Sequence, residues 1–314
     1  PKEIQDISNY IRPNIDLVPK LKTSIDETNL RLIKGTEEQY MILNAALDND
    51  RILCTGGGGT GKTLLAIEIA KRNPNKKILV TCKSEILARF IKGQISNEMV
   101  DVMSISDIHK NKAFFTEEFE IIDSLQPLYD MLIVDEGQDL LSFWFITFLD
   151  RILINTLENG CWRWFMDINN QAGVDSAHTL MDINYPPEDR PPFFSVSVET
   201  LKGLNEESEL AYEMLMDARP VKMKLTHNCR NTEEIIYDTQ LNTGADIGVA
   251  KVKGKGKYPT YEKILSTEET VIKLEEVLDK WNDEVDCLND IVILSTVNYS
   301  LSSASHLSQK WQDK

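Results

Sequence analysis

Two stretches carry residue types in an order that could do chemistry at a phosphate. The first, GGGGTGKT, occupies Gly56 to Thr63 and fits the pattern GxxxxGK[ST]. Gly57, Gly58, Gly59 and Gly61, with Thr60 among them, let successive backbone N–H groups turn inward around phosphate oxygens, and the helix that follows adds the positive end of its dipole. Lys62 suits the β- and γ-phosphates, and Thr63 suits Mg²⁺. Average residue usage would produce this pattern in roughly one chain in a hundred of this length. The second stretch, VDEGQD, follows the apolar run MLIV and sets Asp135 beside Glu136. Asp135 suits a second contact to the metal. Glu136 then has its own task, to orient a water and accept its proton. A small-molecule kinase transfers to a substrate hydroxyl and does not need that second acid, so the pair favours hydrolysis.

Such residues need strand ends to hold them. RILCT, KKILVT, MLIVD, WRWFMD and VKMKLT are short β-rich runs. They alternate with helical patterns from about Gly61, over Glu85–Ile91 and over Phe143–Ile152. That alternation predicts an α/β fold with a parallel sheet built from βαβ units. The Pro-rich NYPPEDRPPFF interrupts it, so an irregular insertion is expected over residues 172–206. EESELAYEMLMDARP reads as a helix ending before Pro220. STEETVIKLEEVLDKW opens with a capping box from Ser266 to Glu269, and its stripe of Val271, Leu274, Leu278 and Trp281 reads as core packing. DIVILST reads as a further strand. A boundary near Arg219 is expected, giving a leading segment over 1–35, a first α/β domain over 36–218 and a partial second one over 219–314.

The chain has 314 residues, 42% of them hydrophobic and 27% charged, with a net charge of −16. That balance argues against a broad surface coating nucleic acid and leaves room for a narrow basic track. The one Lys-rich tract is KVKGKGKY, Lys251 to Lys257, and both a solvated loop and a phosphate contact fit it. Cys54, Cys82, Cys161, Cys229 and Cys287 are scattered without a CxxC pair, which fits buried thiols in a reducing cytoplasm. No apolar run reaches the roughly 18 residues of a membrane span, so no membrane partner is expected. The polar start PKEIQDISNY does not read as a signal peptide, and its first residue, Pro1, fits a trimmed or processed chain.

GGGGTGKT, VDEGQD, FMDINNQ and LTHNCRNTEEI stand in the order of the motifs of superfamily 1 helicases of the UvrD/Rep type, and the chain resembles that family from about Thr36 to Thr296. The last two motifs look closest to the helicase half of nuclease-related-domain proteins. The resemblance implies a RecA-like P-loop fold with the start of a second such domain, ATP and Mg²⁺ as cofactors, and action on single-stranded DNA or RNA. It implies that Gln39 reads adenine, that Asp167 and Gln171 form the third motif with Gln171 sensing the γ-phosphate, and that Arg230 reaches the γ-phosphate from the second domain. By the same likeness Thr81, Lys83 and Ser84 hold strand phosphates, and VMSISDIHK lies where a further contact motif falls, with His109 there reading as a plain polar residue. The family's third motif has one residue fewer between its Asp and Gln and an aromatic just beyond, for which Phe193 or Phe194 would have to stand in. The family's sixth motif supplies another arginine, and no arginine follows Arg230 here. A fragment or a degenerate member is therefore expected. The expected catalytic set is Lys62, Glu136, Gln171 and Arg230, and the expected metal ligands are Thr63 and Asp135. The rival reading is an ATP-driven switch subunit, working with a nuclease or another partner without unwinding.

Overall fold

The computed structural model describes residues 37–116, 120–167, 206–251, 258–264, 266–282, 291–295 and 297–312. In chain order the elements are α1 (Glu37–Asp48), β1 (Arg51–Gly56), α2 (Lys62–Arg72), β2 (Ile78–Cys82), α3 (Glu85–Gln94), β3 (Val100–Ser104), α4 (Ile105–His109) and β4 (Met131–Val134). A 3₁₀ turn, Gly137–Leu140, leads to α5 (Phe143–Ile152), α6 (Thr156–Asn159), β5 (Cys161–Met166), α7 (Glu206–Asp217), β6 (Val221–Leu225), β7 (His227–Asn228), α8 (Glu233–Thr243) and β8 (Val249–Ala250). The helices α9 (Thr267–Asn282) and α10 (Gln309–Gln312) follow. Internal contacts separate a unit over Lys34–Lys253 from one that takes in Gly254–Lys314.

In the first unit six parallel strands form one sheet in the order β3-β2-β4-β5-β1-β6. Every residue of β2, β4 and β5 is buried, which is why these strands read as continuous apolar runs: helices cover both faces of a parallel sheet. Alternate side chains feed two cores. Leu53, Leu79, Leu132, Trp162 and Trp164 pack with Phe145, Phe148 and Ile152 of α5. Ile52, Val80, Ile133 and Phe165 pack on the other face with Ile42 of α1, Leu65 and Ile69 of α2 and Ile91 of α3. The end of α1 is held by the buried Arg163, whose guanidinium donates to Ala46 O at 2.6 Å and Asp50 O at 2.5 Å. β5 lies between the strand that enters the phosphate loop and the strand that ends in the two acids. This is the RecA-like P-loop architecture that the sequence led us to expect.

The boundary expected near Arg219 falls inside this unit. β6 follows it and pairs with β1 from Ile52 against Val221 to Gly56 against Leu225. β6 occupies a sheet edge, where Lys222 and Lys224 stay exposed, so its sequence lacks the apolar run of a central strand. β3, at the other edge, lies in a stretch read from sequence only as a contact motif.

In the second unit Ser266 Oγ accepts from Glu269 N at 3.1 Å, which starts α9 as expected. Of the apolar stripe on α9 only Leu278 is buried, and Trp281 is 40% exposed. DIVILST does not form the expected strand over residues 291–295, and Leu294 is 90% exposed. An apolar run becomes a strand only beside a partner ladder, and none is present for it among the described residues. No described helix is long and apolar enough to cross a membrane.

Candidate nucleotide site

β1 delivers the chain into the glycine loop at Gly56, and α2 takes it up at Lys62. The turn needs left-handed backbone at Gly59 (φ 88°) and Gly61 (φ 94°), which glycine adopts without a Cβ penalty. Thr60 Oγ1 donates to Gly57 O at 2.9 Å and tightens the loop. Lys62 is buried, and its ammonium donates to Gly56 O at 2.8 Å and Gly57 O at 3.2 Å. Gln39, on α1, lies against the loop: its Nε2 donates to Thr60 O at 3.0 Å, and a Cβ on Gly61 would lie 2.2 Å from the same nitrogen.

Across the end of β5, Thr63 Oγ1 donates to Asp135 Oδ2 at 2.6 Å. The two residues chosen from sequence as metal ligands are thus in direct contact. Asp135 is fully buried, and its Oδ1 has no hydrogen-bond partner among the described residues. Burial pushes this carboxyl up to about 6, against the lowering effect of the Thr63 hydrogen bond. A buried acceptor oxygen beside a hydroxyl is a hard oxygen donor set that suits Mg²⁺, which binds through one or two protein oxygens plus substrate phosphates.

Glu136, next in line, is half-buried and left-handed (φ 51°, ψ 44°), an unusual conformation for a residue with a side chain. The following turn packs closely over β5. A Cβ on Gly137 would lie 2.0 Å from Trp164 Nε1, so only glycine fits there. Gln138 Nε2 donates to Glu136 Oε2 at 2.8 Å, and its Oε1 accepts from Asp167 N at 2.9 Å.

The NCRN segment comes to the same loop from the other side. Asn228 is fully buried and donates through Nδ2 to Gly58 O at 2.8 Å and Ile247 O at 2.9 Å. Its Oδ1 accepts from Arg230 N at 3.1 Å and Asn231 N at 2.9 Å. Cys229 N donates to Gly59 O at 2.8 Å. Glu38 accepts from Thr226 N at 2.8 Å and His227 N at 3.2 Å. Burial raises the Glu38 carboxyl, but the hydrogen bonds from Thr226 and His227 outweigh it and hold it below the usual range. Arg230 is exposed, with its backbone tied to the amide that grips the phosphate loop.

Lys62, Thr63, Asp135, Glu136, Gln39, the loop glycines and the backbone of Arg230 are therefore gathered within one unit. Gln171, Phe193 and Phe194 lie outside the described residues, as do residues 252–257 of the basic tract. Thr81 is buried in β2, and Ser84 Oγ accepts from Leu87 N at 3.3 Å as the cap of α3. His109 packs against Trp144, with ring centres 4.4 Å apart. Sequence reasoning passed over Glu38, Gln138 and Asn228, although each sits within two residues of one it chose. Their signal was an amide or acid flanking a chemical residue, visible only once its carbonyl and N–H partners are known.

Neither a protein-family model nor a curated protein matches the sequence. A solved structure, Bacteroides Pif1 bound to ssDNA, is similar at 16% identity with a TM-score of 0.39, over 67% of this chain and 46% of that one. This chain spans under half the length of that protein. The likeness to superfamily 1 helicases rests on the motif residues, and none of these comparisons supports the likeness to nuclease-related-domain proteins.

Proposed function

We propose that this chain binds Mg-ATP at the glycine loop and hydrolyses it as a helicase-type motor on single-stranded DNA. The observation that carries the reading is the 2.6 Å contact between Thr63 and Asp135, flanked by the buried Lys62 and by Glu136. Magnesium, when bound by Thr63 and Asp135, neutralises phosphate charge. Lys62 offers its ammonium to the β- and γ-phosphates. Gln39, held beside Thr60, offers its amide to the adenine edge. Glu136 accepts the proton of the attacking water, and Gln138 holds its carboxylate in place. Arg230 and Gln171 are the residues we assign to the γ-phosphate, on the family resemblance. The net charge of −16 favours one rival, an ATP-driven switch that senses a nucleic acid or a nuclease partner without separating strands.

Steady-state ATPase with and without single-stranded DNA, beside Lys62→Ala and a fluorescence unwinding assay, tests the reading. Magnesium-dependent turnover that vanishes in Lys62→Ala and responds to DNA is expected. Turnover without DNA response or unwinding selects the switch. No turnover above Lys62→Ala removes both.

A further inference from the structure

One charged side chain beside the loop has no part in the scheme above. β8 runs parallel to β7, with Val249 opposite His227 and Ala250 opposite Asn228. The pairing extends one residue further, where Lys251 N donates to Asn228 O at 3.0 Å. Lys251 is thereby fixed next to Cys229. Its Nζ is shielded from solvent and has no hydrogen-bond partner among the described residues. Its position is also felt at the Cys229 thiol, which burial raises and the Lys251 charge lowers. Cys229 in turn touches the phosphate loop through Gly59 O at 2.8 Å and sits 3.6 Å, Sγ to Nε2, from Gln39. The carboxylate in this cluster, Glu38, already serves Thr226 and His227.

A buried ammonium with no anion is costly, and proteins keep such a charge where an anion comes to meet it. The anion proposed for the neighbouring glycine loop is a polyphosphate. We propose that Lys251 is a second phosphate-binding lysine of this site, reaching the polyphosphate of the nucleotide that Lys62 holds. Asn228 and Cys229 set its position through the backbone of β8 and the loop. The inference rests on the nucleotide reading above and adds to it a cation from the far end of the unit. It bears on the basic tract at its first lysine alone, whose Nζ is shielded from solvent.

The test compares Lys251→Met, Lys251→Arg and Lys62→Ala in the 314-residue chain, by calorimetric titration with Mg-ATP and Mg-ADP and by thermal melting without nucleotide. Loss of a hydrogen bond to a charged group should weaken ATP binding by about 10- to 100-fold in Lys251→Met, and Lys251→Arg should recover most of it. A loss shared by ADP puts Lys251 on the α- or β-phosphate, and a loss confined to ATP puts it on the γ-phosphate. Melting of the nucleotide-free Lys251→Met should be unchanged or higher, because a lone buried charge has gone. Unchanged ATP affinity in Lys251→Met, with binding abolished in Lys62→Ala, overturns this inference and leaves the proposed function standing. A drop in nucleotide-free melting that accompanies the lost affinity makes Lys251 a packing residue and overturns it too. A wild-type chain that does not bind Mg-ATP removes both proposals.

Discussion

Gln138 donates to the carboxylate of Glu136 at 2.8 Å while its own carbonyl takes the backbone N–H of Asp167 at 2.9 Å. One amide thus fastens the proposed base to the end of β5. Gln138→Leu should keep the volume and lose both bonds. Small misplacement of a reacting group is costly, so kcat should fall on the order of 10- to 100-fold, with KM for ATP little changed. Steady-state kinetics decide it, and a wild-type kcat would show that Glu136 does not need this partner.

Glu136→Gln replaces the carboxylate with a near-isosteric amide. Nucleotide binding should persist, because Thr63 and Asp135 keep their contact. Hydrolysis should drop by about 10²–10⁴-fold for want of a proton acceptor. Turnover within a few-fold of wild type would mean that another group is the base.

Gly137→Ala tests the packing of the acid turn. The new methyl would meet Trp164 Nε1 at 2.0 Å and Cδ1 at 2.5 Å, both in a fully buried ring. Overpacking of this kind costs about 1–3 kcal/mol. Urea denaturation should show that loss, and the double variant with Trp164→Leu should regain part of it. Equal stability of Gly137→Ala and wild type would contradict the close approach.

His109 gives the fold an acid-sensitive point. Burial against Trp144 and Phe115 lowers its pKa from 6.5 to about 4. Because the folded value lies below the unfolded one, the unfolded chain binds the proton first. The contribution is complete above the unfolded value and is lost as pH falls toward the folded one. Between about pH 7 and about pH 5 that is on the order of 2 kcal/mol. Other groups titrate in the same window, so the measurement is the difference between wild type and His109→Phe in urea melts at the two pH values. A pH dependence identical in both would place the sensitivity elsewhere.

The parts of the site that depend on local chemistry were readable. The glycine loop, Lys62, Thr63, Asp135 and Glu136 declare themselves by residue type next to an apolar strand, and the structure joins Thr63 to Asp135 across β5. What depends on distant pairing was not. VKMKLT reads as a strand, but only its ladder with β1 shows that the chain past Arg219 still belongs to the first sheet. DIVILST has the composition of a strand, and residues 291–295 have no ladder to join among the described residues. Asn228 looks like one amide among several until Gly58 O and Ile247 O appear on its donor side.

The left-handed backbone of Glu136 sets stability against activity at a single position. A side chain held at positive φ strains the native state, and relief by a residue at ease there is worth on the order of 1 kcal/mol. Glycine or asparagine at 136 would release that strain and remove the proposed proton acceptor in the same step. Selection of variants for thermal tolerance alone should therefore drift toward Gly or Asn at this position, and selection for turnover should hold Glu136 in its strained form.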